Sequence, residues 1–551
     1  MAQADPKSEP KASPTLTLVA MTLASSMILV DQTAVPLAVP DLIVDLGGQI
    51  SEGPWILTAN IIPLAALMVL GGRLGDIFGL RRVFTVGALL FVCSSALVGF
   101  AQDTVWAIAA RATQGTGAAL MMPTSLAIVS TVFAGPSRGR ALGILAGASA
   151  FFAACGPVLG GVLTSVDWRL VFLINVPLAI ITLALTLKAV PPLAPDPNAT
   201  RRIDYAGAVS FALAMALLVF GLTQGANNSD WTQPTVIVSV GAAILLAVAF
   251  VTIELKVDNP LVEFKLFRHR DFLAANISQV LAGMVELGMG FLLPAYLLLV
   301  VGVDPEIAGL MLIPSTLPII LFGPLAGRAF DRMGGRAPLV IGFLVLAASG
   351  VALGLAAPTE SFIDLIPGLV LQGIGLGIVL TVNDPTGLSA VPEDKQGQGA
   401  GMINTTEQMG GALGIAVLSS VLLTVYWHKI YDGLAKLGVP RPTPGEIQQG
   451  REYILKVGQE GRDNVDPTGI IAKVDPYIIL YHGQAYEITF FVAGGLALVG
   501  AIVCFFLVQS RKPGGAEHVE GRRWRWRFMG RRTGDSTTGS MEPTAQQPSG
   551  I

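Results

Sequence analysis

The amino-acid sequence predicts an all-α membrane protein of fourteen spanning helices, built as two six-helix bundles with an inserted helix pair. Three observations lead there. Hydrophobic residues make up 52% of the 551 and charged residues only 13%, too little polar surface for a water-soluble chain of this size. Apolar runs of about twenty residues, the length that crosses a bilayer, recur along the chain. A basic, glycine-rich stretch between two such runs, Gly72-Arg73-Leu74-Gly75-Asp76-Ile77-Phe78-Gly79-Leu80-Arg81-Arg82, returns as Gly327-Arg328-Ala329-Phe330-Asp331-Arg332-Met333-Gly334-Gly335-Arg336.

In chain order, the runs lie near 16–38, 54–72, 83–101, 105–133, 141–164, 170–190, 205–224 and 234–253, then near 272–301, 306–327, 337–357, 364–391, 398–427 and 486–508. Residues 1–15 are expected as a cytoplasmic segment, 16–200 as the first bundle, and 201–255 as the inserted pair. Residues 256–427 would form the first five helices of the second bundle, 428–485 an extracytoplasmic loop, and 486–508 the last helix. Residues 509–551 form a basic, partly disordered cytoplasmic tail in this reading. No basic segment leads to a cleavage site, so the first run is expected to be retained as a span. With both termini inside, 26 of the 35 Lys and Arg residues fall in predicted inner segments and the short outward loops hold only Arg169, the asymmetry of a cell-membrane protein.

Gly72, Asp76, Gly79 and Arg81 are each separated by 255 positions from Gly327, Asp331, Gly334 and Arg336. Gln114-Gly115-Thr116-Gly117 is echoed by Gln372-Gly373-Ile374-Gly375, and Gly143 and Gly156 by Gly401 and Gly414, at an offset of 258. A constant offset marks an internal repeat, here of spans 1–6 in spans 9–14, and such repeats characterise two-half transporters. The Gly72–Arg82 stretch resembles the loop motif of the major facilitator superfamily. From about Asp31 to Gly414 the chain is similar to that superfamily's 14-span drug:proton antiporter branch. The resemblance implies a major facilitator fold and a cytoplasmic gating loop in which Gly72, Asp76, Gly79, Arg81, Arg82, Asp331 and Arg336 take part. Ile77 and Leu80 stand where that loop usually has basic residues.

Ionisable groups within the hydrocarbon cost several kcal/mol and point to a pathway. Asp31, Arg111, Glu286, Asp384 and Glu407 qualify. Asp31 in span 1 and Arg111 in span 4 sit at similar depth, and the resemblance places both spans along a central cavity. A carboxylate facing an arginine is ionised when paired and takes a proton when separated. The same two residues also suit a static pair that fixes packing. Arg111 with Gln114, Gly115 and Gly117 resembles the span-4 motif linked in the family to proton coupling. Glu286 lies 255 positions after Asp31, which sets two carboxylates across a pseudo-twofold axis, either as a proton or cation site or as an isolated polar residue. Glu407 stands where relatives often carry arginine. Asp384, beside Pro385, reads either as a direct participant or as a helix break lining a cavity.

Gly143, Phe152 and Gly156-Pro157-Val158-Leu159-Gly160-Gly161 in span 5 resemble the antiporter motif of exporters. Proline removes a backbone donor and glycines admit a close neighbour, which implies a seal against proton leak. Phe152 replaces a motif glycine, and the position equivalent to Pro157 in span 13 is Ile415. The stretch Arg522–Phe528 alternates basic and aromatic residues, as in docking on anionic lipid, and equally suits a solvated tail; nucleic acid is not an expected partner. The four histidines and three scattered cysteines, Cys93, Cys155 and Cys504, offer no metal spacing, and no nucleophile–base grouping or phosphate loop is visible. An enzyme is not expected. The reading is a monomeric exporter of small hydrophobic or cationic compounds, powered by the proton gradient without a bound cofactor. Export of a native lipid or secreted metabolite, or a non-transporting sensor or scaffold of the same fold, are the alternatives.

Overall fold

The computed structural model describes residues 13–49, 52–133, 137–191, 204–227, 231–257, 260, 262, 264–391, 396–436 and 470–509. Among them are fourteen helices long and apolar enough to cross a membrane, the number expected from the sequence. The first six are α1 (Pro14–Asp45), α2 (Gly53–Phe78), α3 (Leu80–Gly99), α4 (Thr104–Val132), α5 (Ala141–Thr164) and α6 (Arg169–Ala189). Next come α7 (Tyr205–Gly225) and α8 (Pro234–Glu254). The last six are α9 (Arg270–Val301), α10 (Pro305–Met333), α11 (Arg336–Thr359), α12 (Phe362–Leu388), α13 (Gly399–Asp432) and α14 (Tyr481–Leu507). The N-terminal segment before residue 13, most of loop 428–485, and the tail with Arg522–Phe528 lie outside the described residues.

Helix ends follow local chemistry. Asp103 caps α4 by accepting the Trp106 amide at 2.7 Å, satisfying a donor that the first turn leaves open. Gly79 and Gly334 end α2 and α10 at φ 95° and 79°, a region that glycine enters without steric cost. Their amides close the helices on the carbonyls of Gly75 and Phe330. The repeated glycines of the sequence are therefore repeated caps.

The repeat is also a repeat of packing. Gly115 of α4 rests on the Asn60 carbonyl of α2, and Gly373 of α12 on the Ser315 carbonyl of α10. Gly117 meets Gly87 and Phe91 of α3, while Gly375 meets Gly342 and Leu346 of α11. Gly72 faces Pro123, and Gly327 faces Thr381. Small residues at these points let helix backbones touch where apolar lipid supplies no hydrophobic drive of its own.

The two halves meet along two seams, α2 with α13 and α5 with α10. At the second seam Gly161 lies against the Pro305 carbonyl and Gly309 against the Pro157 carbonyl. The α7–α8 pair leans on the first seam through α7. Phe220 of α7 packs on Trp55 of α2 at 6.3 Å between ring centroids, and Ser420 of α13 donates to the Leu222 carbonyl at 3.1 Å. Ile237, Val238, Ile244 and Leu245 of α8 are exposed, the apolar surface of a helix whose neighbour is lipid.

Two helices run past their sequence-predicted edges. The helix of α13 continues to Lys436, and that of α14 begins at Ile470. Hydropathy falls there, but rings hold the ends together: Tyr426 faces His482 at 4.8 Å and His482 faces Tyr486 at 5.5 Å. Lys429 adds a 2.9 Å bond to the Gln484 amide oxygen.

Candidate transport site

Span 1 turns Asp31 inward, away from lipid. Its carboxylate meets Arg111 of α4, Nη1 to Oδ2, at 2.5 Å, and both side chains are 1% exposed. Arg111 also donates through Nε to the Ile56 carbonyl of α2 at 3.0 Å and through Nη1 to Gln114 Oε1 at 2.8 Å. Gln114 Nε2 returns to Asp31 Oδ1 at 3.0 Å, and Asn175 Nδ2 of α6 reaches the same oxygen at 3.3 Å. Asn175 is held in turn by Ser95 of α3 at 3.0 Å. The guanidinium lies 5.7 Å from the centre of the Phe172 ring. Five helices thus converge on one ion pair, and a buried pair is tolerable only when its remaining donors and acceptors are filled in this way.

The sequence expectation that Asp31 and Arg111 come together agrees with this geometry. Both side chains are buried within the first bundle, with hydrogen-bond partners on α2, α4 and α6. Asn175 and Ser95 were not among the predicted site residues. Both are uncharged polar residues within apolar runs, a pattern that residues bonded only to their own helix also give.

A second polar centre occupies the other bundle. Gln279 of α9 donates to Glu407 Oε2 of α13 at 2.6 Å. Asn383 of α12 donates to Gln279 Oε1 and to the Ala275 carbonyl, and accepts from Ser278 at 2.5 Å. Glu286 of α9 and Asp384 of α12 lie on the two helices of this bundle that carry Gln279 and Asn383, and both helices pack against α13. Glu286 Oε2 and Asp384 Oδ1 are buried without a hydrogen-bond partner. Among the described residues, none of these three carboxylates forms an ion pair. Asp31 and its repeat mate Glu286 consequently differ in kind: one is neutralised by a guanidinium, and the other forms no ion pair among the described residues.

The span-5 motif divides into contacts. Gly156 faces Thr33 and Val30 of α1, Gly160 the backbone at Ala34, and Gly161 the Pro305 carbonyl. Gly143 has nothing within 4 Å. Phe152 is 38% exposed and packs edge-on against Phe151, with ring centroids 5.6 Å apart. In the turns, Arg81 reaches the Leu187 carbonyl in the last turn of α6 at 2.7 Å, where a helix end attracts cations. Arg336 stacks on Phe505 at 4.7 Å. Asp76, Arg82 and Asp331 are exposed. No group of three or more potential metal ligands occurs among the described residues.

The family model of the Major Facilitator Superfamily matches residues 21–415, a stretch holding both turns, the buried pair and Glu407. The chain belongs to the major facilitator superfamily. It is therefore a multi-pass membrane transporter by family, not an enzyme. Among superfamily relatives, the tetracenomycin C resistance and export protein of Streptomyces glaucescens is 29% identical, covering 91% of this chain and 93% of its own. The multidrug resistance protein Stp of Mycobacterium tuberculosis (strain CDC 1551 / Oshkosh) is 31% identical, over 74% and 75%. A solved bacterial homologue of the human lysosomal transporter Spinster, inward-facing and unoccupied, superposes with a TM-score of 0.63 at 14% identity, covering 90% of this chain and 97% of that one. At that identity the likeness speaks for the fold.

Proposed function

We propose that this superfamily member exports hydrophobic or amphipathic compounds across the cell membrane in exchange for protons, with both termini cytoplasmic. The observation that carries the reading is the buried Asp31–Arg111 pair tying α1 to α4. A proton on Asp31 removes the charge that holds the guanidinium, and the cost of leaving that cation buried favours a different packing of the helices. Antiport requires proton and cargo to favour opposite states or to exchange at overlapping groups. The unpaired carboxylates Glu286, Asp384 and Glu407 suit a cationic cargo, and the apolar composition suits hydrophobic ones. The relatives named for drug resistance support export as the direction. The proton gradient supplies the energy, with no cofactor, and a single chain holds the whole site.

The test uses purified protein in liposomes with an imposed pH gradient and a panel of cationic and neutral dyes. Asp31→Asn is expected to abolish gradient-driven dye movement while the protein stays folded. Unchanged coupling in that variant would remove Asp31 from the mechanism. A second reading, export of one secreted compound, is favoured by the nearly full-length match to a relative named for a single antibiotic. Transport of one dye class alone would support it.

A further inference from the structure

Pro157 has no amide hydrogen, so the carbonyl four residues earlier, that of Ala153, loses its helical partner. That carbonyl is not left bare. Thr33 of α1 donates its hydroxyl to Ala153 O at 2.9 Å. Gly156 makes the approach possible, because a Cβ there would overlap the Thr33 hydroxyl. The same hydroxyl lies 3.1 Å from Leu29 O and 3.2 Å from Val30 O in its own helix. A threonine hydroxyl carries one proton, so it serves either α5 or α1.

We infer that Thr33 is a positioning residue that closes the proline break of α5 and ties it to the helix bearing the proton-binding carboxylate. Asp31 and Thr33 lie on opposite sides of α1, one bound to α4 and the other to α5. When α1 moves away from α5, the hydroxyl falls back on Leu29 O and stays satisfied. The Ala153 carbonyl is then open to water beside the proline. Sealing that carbonyl keeps water, and the protons it conducts, out of the seam until α1 is released. The inference rests on the proton-exchange reading for its purpose, but the contact itself can be tested apart from it.

The experiment compares wild type, Thr33→Val, Thr33→Ser, Pro157→Ala and Thr33→Val/Pro157→Ala in vesicles containing a trapped pH dye and no cargo, with melting temperature in detergent as a second readout. Thr33→Val is expected to raise proton leak about three- to tenfold, the range in which one hydrogen bond moves a two-state equilibrium, and to lower the melting temperature. Thr33→Ser should stay close to wild type. In the Pro157→Ala background the new amide occupies Ala153 O, so Thr33→Val should add little to either readout. An unchanged leak and melting point in Thr33→Val, or equal effects in both backgrounds, would overturn the inference. If Thr33→Val does not fold, Thr33→Ala takes its place; folding restored by Pro157→Ala supports the inference, and failure in both backgrounds overturns it. Absence of gradient-driven transport in the wild type would remove the antiport reading, while the melting cycle would still judge the contact.

Discussion

Gln32 of α1 donates to Gln408 of α13 across the two bundles at 3.1 Å. Each glutamine directly follows an acid of its own bundle, Asp31 in one case and Glu407 in the other. The two polar centres are thus joined through adjacent backbone, one amide clasp from each other. Helices that rock apart must break this clasp, and a cargo with a carbonyl or amide can replace either half of it. Gln32→Ala and Gln408→Ala are expected to raise cargo affinity or turnover similarly, and the double variant should do no more than either single one. The coupling in that cycle should be about 0.5–1.5 kcal/mol, the net worth of one hydrogen bond; binding titrations on the four proteins measure it.

The Arg111–Asp31 pair makes a stability expectation with a definite sign. Arg111→Ala leaves a buried carboxylate unpaired and should cost about 3–5 kcal/mol. Adding Asp31→Asn removes that stranded charge, so Arg111→Ala/Asp31→Asn should melt higher than Arg111→Ala alone. Arg111→Lys keeps the charge but cannot reach Asp31, Gln114 and Ile56 O together with a single ammonium, and should fall between. Thermal unfolding in one detergent ranks the four proteins.

The reach of the sequence can be judged from particular residues. Span number and the two-half repeat were legible because a bilayer imposes a fixed apolar length and because the glycine caps at Gly79 and Gly334 answer one geometric need twice. Asp31 and Arg111 were legible because buried charges are costly and rare. Thr33, Asn175, Gln279 and Asn383 were not, since uncharged polar side chains also occur singly in spans by bonding their own helix, as Thr113 does with Ala109 O at 3.0 Å. Only a partner from another helix separates the two cases, and spacing along the chain does not report it. The extensions of α13 and α14 were missed for a similar reason: ring stacking between distant residues held what hydropathy marked as loop.

The acidic centre of the second bundle should respond to neutralisation in two directions. Glu286→Gln and Asp384→Asn each replace a buried carboxylate that has an oxygen without a hydrogen-bond partner and no ion pair among the described residues. An uncompensated buried charge is costly, so both are expected to preserve or raise melting temperature. The same variants should slow transport of monovalent cationic dyes and leave neutral dyes unaffected. Equal loss for both dye classes would mean that these carboxylates do not meet the cargo. Glu407→Gln differs, because it also alters the bond from Gln279, and should affect both classes through packing.

Glycine-to-alanine exchanges should separate the contacts that hold the bundles from glycines that merely occupy a helix. A Cβ at Gly115 would collide with the Asn60 carbonyl, and one at Gly373 with the Ser315 carbonyl. Backbone cannot swing aside as a side chain does, so the helices must separate, and overpacking of this kind costs about 1–3 kcal/mol. Gly115→Ala and Gly373→Ala should therefore destabilise by similar amounts, being the same contact in two halves. Gly143 has open space around its Cβ position. There alanine gains the roughly 1 kcal/mol by which it exceeds glycine as a helix former, and Gly143→Ala should melt at or above wild type. If Gly143→Ala proved as damaging as Gly115→Ala, the inner part of α5 would have to pack against a neighbour in some other state of the transport cycle, and its melting point should then recover on addition of a ligand that traps the present one.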